Sequence, residues 1–309
     1  MGRYYMPEES NKHLGPVFHW LKTGERPRPH FPRAIQIQTI SLCNAQCSFC
    51  GYKSTFTTQP QGVIDEALFK KIIDECSHHY IGRISPYLMN EPLLDKNLPE
   101  KIAYINRNKK LGTKTKINTN GYLLNENMSH GLIKAGLRHL WISIQGYSRQ
   151  TYRKAMGLDD PQRVFDNIDR LIEIKEKLRS HVPKLTITTL NTKIVATELE
   201  YAKAYWKKKQ INFRIHGLDN RAGEELRAIA PNKPHRRRSC DLFLKQAYIL
   251  FNGDMLFCCH DWRRTVVVGN VKERSIKEIW NSSLYKKLIY QYNSGDFSNI
   301  AICRQCAGY

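Results

Sequence analysis

The chain has 309 residues, 41% hydrophobic and 25% charged, a composition typical of a globular protein with one large or two modest domains. Its formal net charge of +21 suits an anionic partner, or equally a solvated basic surface. No apolar run reaches the roughly 18 residues of a membrane span, and the first residues lack a signal peptide's apolar stretch. We therefore expect a cytoplasmic protein without a membrane partner, whose nine cysteines are reduced and suited to metal binding.

Residues 1–33 predict an N-terminal arm or lid with a short helix around 15–23. From residue 34 to 220, six β-like runs alternate with five amphipathic helical segments, which favours a parallel sheet with functional loops at the strands' carboxyl ends. The predicted strands are Ala34–Ile40, Arg83–Leu88, Lys114–Thr119, His139–Ile144, Lys184–Leu190 and Asn212–Ile215. The predicted helices are Asp65–Ser77, Leu98–Lys109, Glu126–Ala135, Pro161–Lys177 and Thr197–Lys208.

The pattern changes after Arg221. Residues 221–239 predict a polar connector, and residues 240–309 predict a small domain. This domain contains an Asn-Gly turn between two β-like runs, which is a strong hairpin signal, followed by a helix. The predicted bounds are Ala247–Phe251 and Met255–Cys258 for the hairpin, and Ile276–Tyr285 for the helix.

Three cysteines, Cys43, Cys47 and Cys50, follow the first predicted strand with the spacing C-x3-C-x2-C. Three thiolates on one short loop can hold three irons of a cubane [4Fe–4S] cluster and leave the fourth iron open to a small ligand. A structural zinc site would need a fourth protein ligand near by, and three cysteines cannot all pair in disulfides. The alternative is a loop of core cysteines without a metal.

A second set, Cys240, Cys258, Cys303 and Cys306, has the spacing C-x17-C-x44-C-x2-C. One ligand before the hairpin, one after it and a closing C-x2-C can converge on one metal centre. From the residues alone this centre is either an iron–sulfur cluster or a zinc ion with His260 as an alternate ligand.

Both sets resemble motifs of the radical S-adenosylmethionine (SAM) enzymes. The first resembles the family signature, whose open iron chelates SAM, and Phe49 matches the family's aromatic residue near the adenine. The second, with the Gly-Asn turn and Ile-Trp helix of residues 268–283, resembles the auxiliary domain called twitch, the short form of SPASM, which holds one further [4Fe–4S] cluster. The resemblance implies an α/β fold, a partial (β/α)6 TIM-like barrel with a small C-terminal hairpin-plus-helix auxiliary iron–sulfur domain.

The resemblance also implies three segments that contact SAM. SPYLMNEPLLD (85–95) stands where the family has glycine-glycine-glutamate, with Met89 at a glycine position, and INTNGYLL (117–124) equally fits a plain turn after a strand. WISIQG (141–146) alternates so that its polar residues face the barrel interior. The candidate SAM-contacting residues are Asn90, Glu91, Asn118, Asn120, Ser143 and Gln145.

Cys259 belongs to neither set. If its neighbour Cys258 is a ligand, an extended segment would point Cys259 the other way, into the cavity between the domains. A thiol there is suited to donate a hydrogen atom to a carbon radical, as a catalytic cysteine does in the family's epimerases. The alternative is a small buried side chain.

The family resemblance implies reductive cleavage of SAM to a 5′-deoxyadenosyl radical that abstracts a substrate hydrogen. Either an auxiliary cluster accepts an electron, giving dehydrogenation, or Cys259 returns a hydrogen, giving an epimer. We therefore expect an oxidoreductase or epimerase acting on a sugar-like or other natural-product substrate. The alternatives are a peptide maturase and a nucleic-acid-modifying enzyme. The expected partners are a small-molecule or peptide substrate, with an anionic one suited to the charge, and an electron donor such as flavodoxin or ferredoxin.

Overall fold

The computed structural model describes residues 28–218, 229–230 and 240–307. The helix predicted around residues 15–23 and nearly all of the predicted connector lie outside the described residues. Within them, no helix combines the length and the apolar character needed to cross a membrane.

Six parallel strands alternate with helices, as predicted, and all six predicted strands and five predicted helices are present. The strands are β1 Ala34–Ile37, β2 Arg83–Ser85, β3 Lys114–Thr119, β4 His139–Ser143, β5 Lys184–Asn191 and β6 Asn212–Gly217. The helices are α1 Tyr52–Thr55, α2 Glu66–Ser77, α3 Leu98–Asn108, α4 Glu126–Lys134, α5 Arg149–Met156, α6 Pro161–Lys177 and α7 Leu199–Lys208. Neighbouring strands pair in chain order from β1 to β6, so the α/β fold with a parallel sheet is confirmed.

Local sequence explains where the helices begin. Asp65 caps α2 by accepting a hydrogen bond from the Leu68 amide, and Pro161 occupies the first turn of α6, where its missing N–H costs nothing. The apolar stripes of α4 and α6 pack on one face of the sheet, against Ile117 and Ile142. Alternation then turns the neighbouring residues of each strand toward the opposite, inner face.

The C-terminal part extends the same sheet. Its elements are α8 Leu242–Lys245, β7 Gln246–Ile249, β8 Asp254–Leu256, β9 Val267–Asn270, α9 Ile276–Trp280, α10 Ser283–Ser294 and α11 Ala301–Ala307. The predicted hairpin is β7–β8, and β7 also pairs in parallel with β1, which the sequence did not indicate. The boundary predicted at residue 240 therefore adjoins one continuous sheet of nine strands, and the division into domains stays a prediction.

The helix predicted over Ile276–Tyr285 is wrong in its extent, because Ser282 divides it. Ser275 forms a capping box with Glu278 and starts α9, and Ser282 accepts a hydrogen bond from the Tyr285 amide and starts α10. A side chain that caps a new helix competes with continuation of the preceding one.

Residues 28–30 lie against this pair of helices. The Arg28 guanidinium sits 4.3 Å from the ring centroid of Trp280 and 4.7 Å from that of Tyr285. The Trp280 indole N–H donates to the Pro29 carbonyl at 2.9 Å. The described end of the predicted N-terminal arm is thus fixed to the C-terminal part of the chain.

Candidate active site

The first cysteine loop leaves the carboxyl end of β1 and is fixed by main-chain hydrogen bonds. The amides of Gln46 and Ser48 donate to the carbonyls of Met156 and Ala155, at 3.0 and 2.9 Å, at the end of α5. The Cys43 amide donates to the Tyr52 hydroxyl at 3.1 Å. Neighbouring segments therefore hold the loop, and the Cys43 sulfur accepts one further hydrogen bond from the Ala45 amide at 3.5 Å.

The thiols of Cys43, Cys47 and Cys50 are half-buried and form no disulfide. Burial raises the pKa of Cys43 to about 12 and that of Cys47 well above its ordinary value. Cys47 interacts electrostatically with both Cys43 and Cys50, so the three thiols lie near one another. Three neighbouring thiols, each able to bind a different iron, fit a cubane cluster.

Glu91 and Asn120 fasten this loop to the neighbouring strand ends. The buried Glu91 carboxylate accepts hydrogen bonds from the Thr119 hydroxyl at 2.5 Å and the Asn120 amide at 2.8 Å, and burial raises its pKa to about 7. The Glu91 amide donates to the Leu42 carbonyl, next to the first cysteine, at 2.9 Å. The Asn120 side chain donates to the Asn44 amide oxygen at 2.8 Å. Sequence reasoning missed Asn44, which carries no signal beyond lying inside the cysteine motif.

The segment after β2 keeps a glycine-like backbone without a glycine. Met89 has φ +54°, in the left-handed region that side chains rarely adopt. The Asn90 side chain accepts from the Leu88 amide at 2.8 Å, and its amide nitrogen is buried without a hydrogen-bond partner among the described residues. Met89 therefore holds a conformation that glycine adopts freely, at a cost in strain.

The other predicted SAM contacts differ in their surroundings. Phe49 is buried in the apolar core, where Cys47 and Cys50 pack against the same cluster. Asn118 lies on the inner face of β3, and its side-chain oxygen is buried with no partner among the described residues. Gln145 is only 1% exposed; it donates to the Ser143 hydroxyl at 2.8 Å and accepts from the Leu190 amide at 2.7 Å. Its amide is therefore engaged by β5, and its contact with SAM stays a prediction.

The second cysteine set lines one cavity. Cys240, Cys258, Cys303 and Cys306 surround a space of about 440 Å³ whose walls include aromatic side chains. Burial raises the pKa of Cys303 to about 12. Four thiols on one apolar-walled cavity form the ligand set that a [4Fe–4S] cluster requires. The Tyr292 hydroxyl, accepting from the Cys240 amide at 2.7 Å, fixes the first ligand's backbone.

The expected geometry of Cys259 is wrong. Strand β8 ends at Leu256, and the Asp261 amide bonds to the Cys258 carbonyl at 3.3 Å, so Cys259 lies in a turn. Its thiol interacts with that of Cys258, whose pKa the interaction and burial both raise. The Cys259 side chain packs against a small cluster that includes Leu88 and Tyr248.

A tight contact joins the first cysteine loop to the C-terminal part. A β-carbon added at Gly51 would lie 2.5 Å from the Trp262 ring, so the indole occupies the space that a side chain would take. Elsewhere, Cys76 is buried and Arg153 is an exposed partner of Asp159 at 3.1 Å. Arg214 lies on the inner face, over the Trp141 ring.

Two family models match the chain. The radical SAM superfamily matches residues 37–186, and SPASM, an iron–sulfur cluster-binding domain, matches residues 240–307. An S-adenosyl-L-methionine-dependent 2-deoxy-scyllo-inosamine dehydrogenase from Niallia circulans is 22% identical, with 88% of this chain and 91% of that protein covered. A tungsten-containing aldehyde ferredoxin oxidoreductase cofactor-modifying protein from Pyrococcus furiosus is 23% identical over 81% of each chain.

Solved structures share the fold. BtrN in complex with AdoMet and 2-DOIA has a TM-score of 0.61 at 22% identity, with 88% of this chain and 91% of that chain covered. Streptococcus suis SuiB bound to precursor peptide SuiA has a TM-score of 0.67 at 15% identity, with 93% and 73% covered.

Each family match contains one of the two cysteine sets. The cofactors that these domains imply are a SAM-binding [4Fe–4S] cluster, an auxiliary [4Fe–4S] cluster and SAM, and the thiols described above fit both clusters. The choice between iron–sulfur and zinc at the second set is thereby decided for iron–sulfur. The chain belongs to the radical SAM superfamily and carries a SPASM-type iron–sulfur domain in its C-terminal part.

Proposed function

We propose that this enzyme dehydrogenates a sugar-like or other natural-product substrate and passes one electron to its C-terminal cluster. The observation that carries the proposal is the cavity lined by Cys240, Cys258, Cys303 and Cys306. Four thiols for four irons leave no iron open to a substrate, which favours electron transfer over substrate binding. Similarity to a SAM-dependent dehydrogenase over most of both chains supports the same reaction.

The proposal accounts for every electron. Removal of two hydrogens from an alcohol releases one as an atom and one as a proton, and the remaining electron needs an acceptor. When bound, SAM and the first cluster supply the radical that takes the hydrogen atom. The reducing electron for that step comes from an external donor, for which flavodoxin or ferredoxin is suited.

The residues of the chain position these groups. We assign the first cluster to Cys43, Cys47 and Cys50, and contacts with SAM to the remaining side chains of the strand ends. Those contacts are assigned to Phe49, Asn90, Asn118 and Ser143, and Gln145 positions Ser143, to whose hydroxyl its amide donates at 2.8 Å. Glu91 and Asn120 act through the backbone, because their side chains are engaged in holding the cysteine loop to β2 and β3.

Epimerisation is the second candidate, and the position of Cys259 favours it. Its thiol lies beside the buried phenol of Tyr248, and its side chain packs against the cluster that contains Leu88, from the segment that the family uses for SAM. A hydrogen atom returned from this thiol would leave the substrate's mass unchanged. Peptide maturation stays a further alternative, since the fold of SuiB is similar at a TM-score of 0.67.

The mass of the product distinguishes these reactions. The anaerobically reconstituted enzyme would be given SAM, a reductant and aminocyclitols such as 2-deoxy-scyllo-inosamine, with turnover in H2O and in D2O. Dehydrogenation predicts a product two hydrogens lighter and one 5′-deoxyadenosine per turnover. A product of unchanged composition carrying one deuterium, and its absence in Cys259→Ala, would instead establish epimerisation. Deuterium in the product together with retained activity in Cys259→Ala would contradict Cys259 as the donor.

A further inference from the structure

The inner face of the barrel holds a basic cluster around Trp141. The Lys116 ammonium lies 3.1 Å from the Trp141 ring centroid, the Arg214 guanidinium carbon lies 5.3 Å away, and the His216 ring stacks at 6.1 Å. Asn118 on β3 pairs in register with Trp141 on β4, so the two side chains share a face. Lys116 lies two residues before Asn118 on β3, and alternation places its side chain on that same face. Arg83, on β2, lies close enough to Lys116 for its positive charge to lower the pKa of that lysine.

Among the described residues, no carboxylate compensates these charges. In the described part of the chain, Arg83, Lys116 and Arg214 form no ion pair with Asp or Glu. The charged and titratable groups that face Lys116 are Arg83 from β2, His139 from β4, and Arg214 and His216 from β6, all of them basic. Burial, and then the two arginines, lower the pKa of Lys116 to about 7.

Polar atoms that face the same space also lack partners. The Arg83 Nε and the Ser85 hydroxyl, both donors, are buried without a hydrogen bond among the described residues, whereas a terminal nitrogen of Arg83 donates to the Gln246 side-chain oxygen at 3.0 Å. The strand register places both residues on the inner face. Lys116 is half-buried beside these donors and Arg214 is exposed. Leaving buried donors without an acceptor is costly unless a ligand supplies one.

We propose that this basic cluster binds an anionic group of the substrate, a phosphate or a carboxylate, through Arg83, Lys116 and Arg214. The inference rests on the proposed function, since it names the substrate class of the same barrel. Guanidinium and ammonium groups are the side chains that recognise such oxyanions, and Arg adds a planar, two-pronged donor.

The position of the cluster sets the shape of the substrate. Lys116 lies three residues before Thr119, where β3 ends. At about 3.3 Å per residue, the cluster lies roughly 10 Å below the strand ends that carry the cysteine loop. A substrate whose anionic group binds there extends along the barrel over at least this distance to reach the strand ends.

The test measures protection of Lys116 in the reconstituted wild-type enzyme. Acetic anhydride, a neutral reagent, would be used at pH 7.5, and acetylation of each lysine would be followed by peptide mass spectrometry. We expect Lys116 to react faster than the exposed Lys203, because more of it is deprotonated. Inorganic phosphate at 10 mM should slow the acetylation of Lys116 at least 5-fold and leave the acetylation rate of Lys203 unchanged. Stronger protection by acetate than by phosphate would assign the site to a carboxylate.

Variants separate a built site from a general salt effect. Arg214→Gln should weaken the phosphate protection of Lys116 about 10-fold, Arg214→Lys should retain much of it, and Lys203→Gln should change nothing. Absence of protection by either anion, or protection that is equal in Arg214→Gln, would overturn the inference. Failure of the proposed function would be seen separately, as missing iron at the second cysteine set with anion protection intact.

Discussion

The two cysteine sites are built in opposite ways. Cys43, Cys47 and Cys50 lie within eight residues on one loop, whose backbone is bonded to the end of α5 and to the strand ends. The second set draws on three separated segments that meet only when β7, β8 and α11 have packed. One site is local and held from outside; the other is a product of the tertiary fold.

The difference corresponds to two tasks. Three thiols leave an iron open to an exchangeable ligand, so the loop needs rigid support that does not occupy the open position, and Glu91 and Asn120 provide it. Four thiols in an apolar-walled cavity can supply one ligand to every iron of a cluster. The two sites therefore differ in their supporting contacts as well as in their number of cysteines, and the proposed transfer of an electron fits the second, fully ligated one.

The largest effect on cluster content and activity is expected when either cysteine set is replaced by alanine. Replacing Cys43, Cys47 and Cys50 by Ala should abolish 5′-deoxyadenosine formation and leave about four irons per chain on the second set. Replacing the four C-terminal cysteines by Ala should retain SAM cleavage and abolish the oxidised product, because the electron loses its acceptor. Iron, sulfide and 5′-deoxyadenosine measured in one preparation test both statements.

Cys76→Ala is the matched control, since Cys76 is buried in the core and belongs to neither set. It should keep about eight irons per chain while losing some stability through the small cavity it creates. Equal loss of SAM cleavage in both sets of variants would contradict the separation of tasks.

The next effect concerns the support of the first loop. Glu91→Ala removes the acceptor of three hydrogen bonds, from Thr119, Asn120 and Leu93. We expect a loss of at least about 2 kcal/mol in the free energy of unfolding, since each stranded donor costs ~1–3 kcal/mol. Glu91→Gln, which keeps the shape and one acceptor, should lose less. Anaerobic urea unfolding measures both changes.

Glu200→Ala provides the reference for that experiment. Glu200 is an exposed carboxylate paired with Lys203, and its removal should change stability by less than about 0.5 kcal/mol. A loss in Glu91→Ala as small as this would show that the carboxylate does not support the loop.

The sequence predicted more of the first cysteine loop than of the second site, whose residues are far apart in the chain. The motif of the first loop and the alternation of β-like and helical segments could be predicted because both depend on residues close together in the sequence. The pairing of β7 with β1 joins residues more than 200 positions apart, and nothing in either strand's own pattern specifies its partner. The break at Ser282 was missed because the apolar spacing of Ile276, Ile279 and Trp280 continues past it.

Side-chain roles were the least predictable part of the site. Glu91 and Gln145 are polar residues at strand ends, as SAM contacts would be, yet their side chains bond to neighbouring strands. The cluster at Lys116 was missed for a related reason. A basic residue in a short strand is usually solvated, and only the strand register shows that Lys116 and Arg214 meet over Trp141.

A smaller effect is expected where the two regions touch. Gly51→Ala adds a β-carbon 2.5 Å from the Trp262 ring, so the cysteine loop or the indole must move. We expect a loss of about 1–3 kcal/mol in stability and a change in Trp262 fluorescence. Gly82→Ala is the matched control, because its β-carbon would lie 3.4 Å from the Arg33 carbonyl, at the edge of ordinary contact. Equal stability of the two variants would mean that the regions do not pack closely.

The smallest change in stability is expected at Met89, whose φ of +54° lies in the left-handed conformational region. Met89→Gly removes roughly 1–2 kcal/mol of backbone strain but also removes packing on the cluster of Leu88 and Tyr248 and adds freedom to the unfolded chain. The terms oppose each other, so the net change should stay within about 1 kcal/mol. Gln210→Gly, at the same φ of +54° but outside the apolar clusters, isolates the backbone terms and should stabilise more than Met89→Gly does. The reverse order of stability in urea unfolding would show that packing of the Met89 side chain on the cluster of Leu88 and Tyr248 adds no stability.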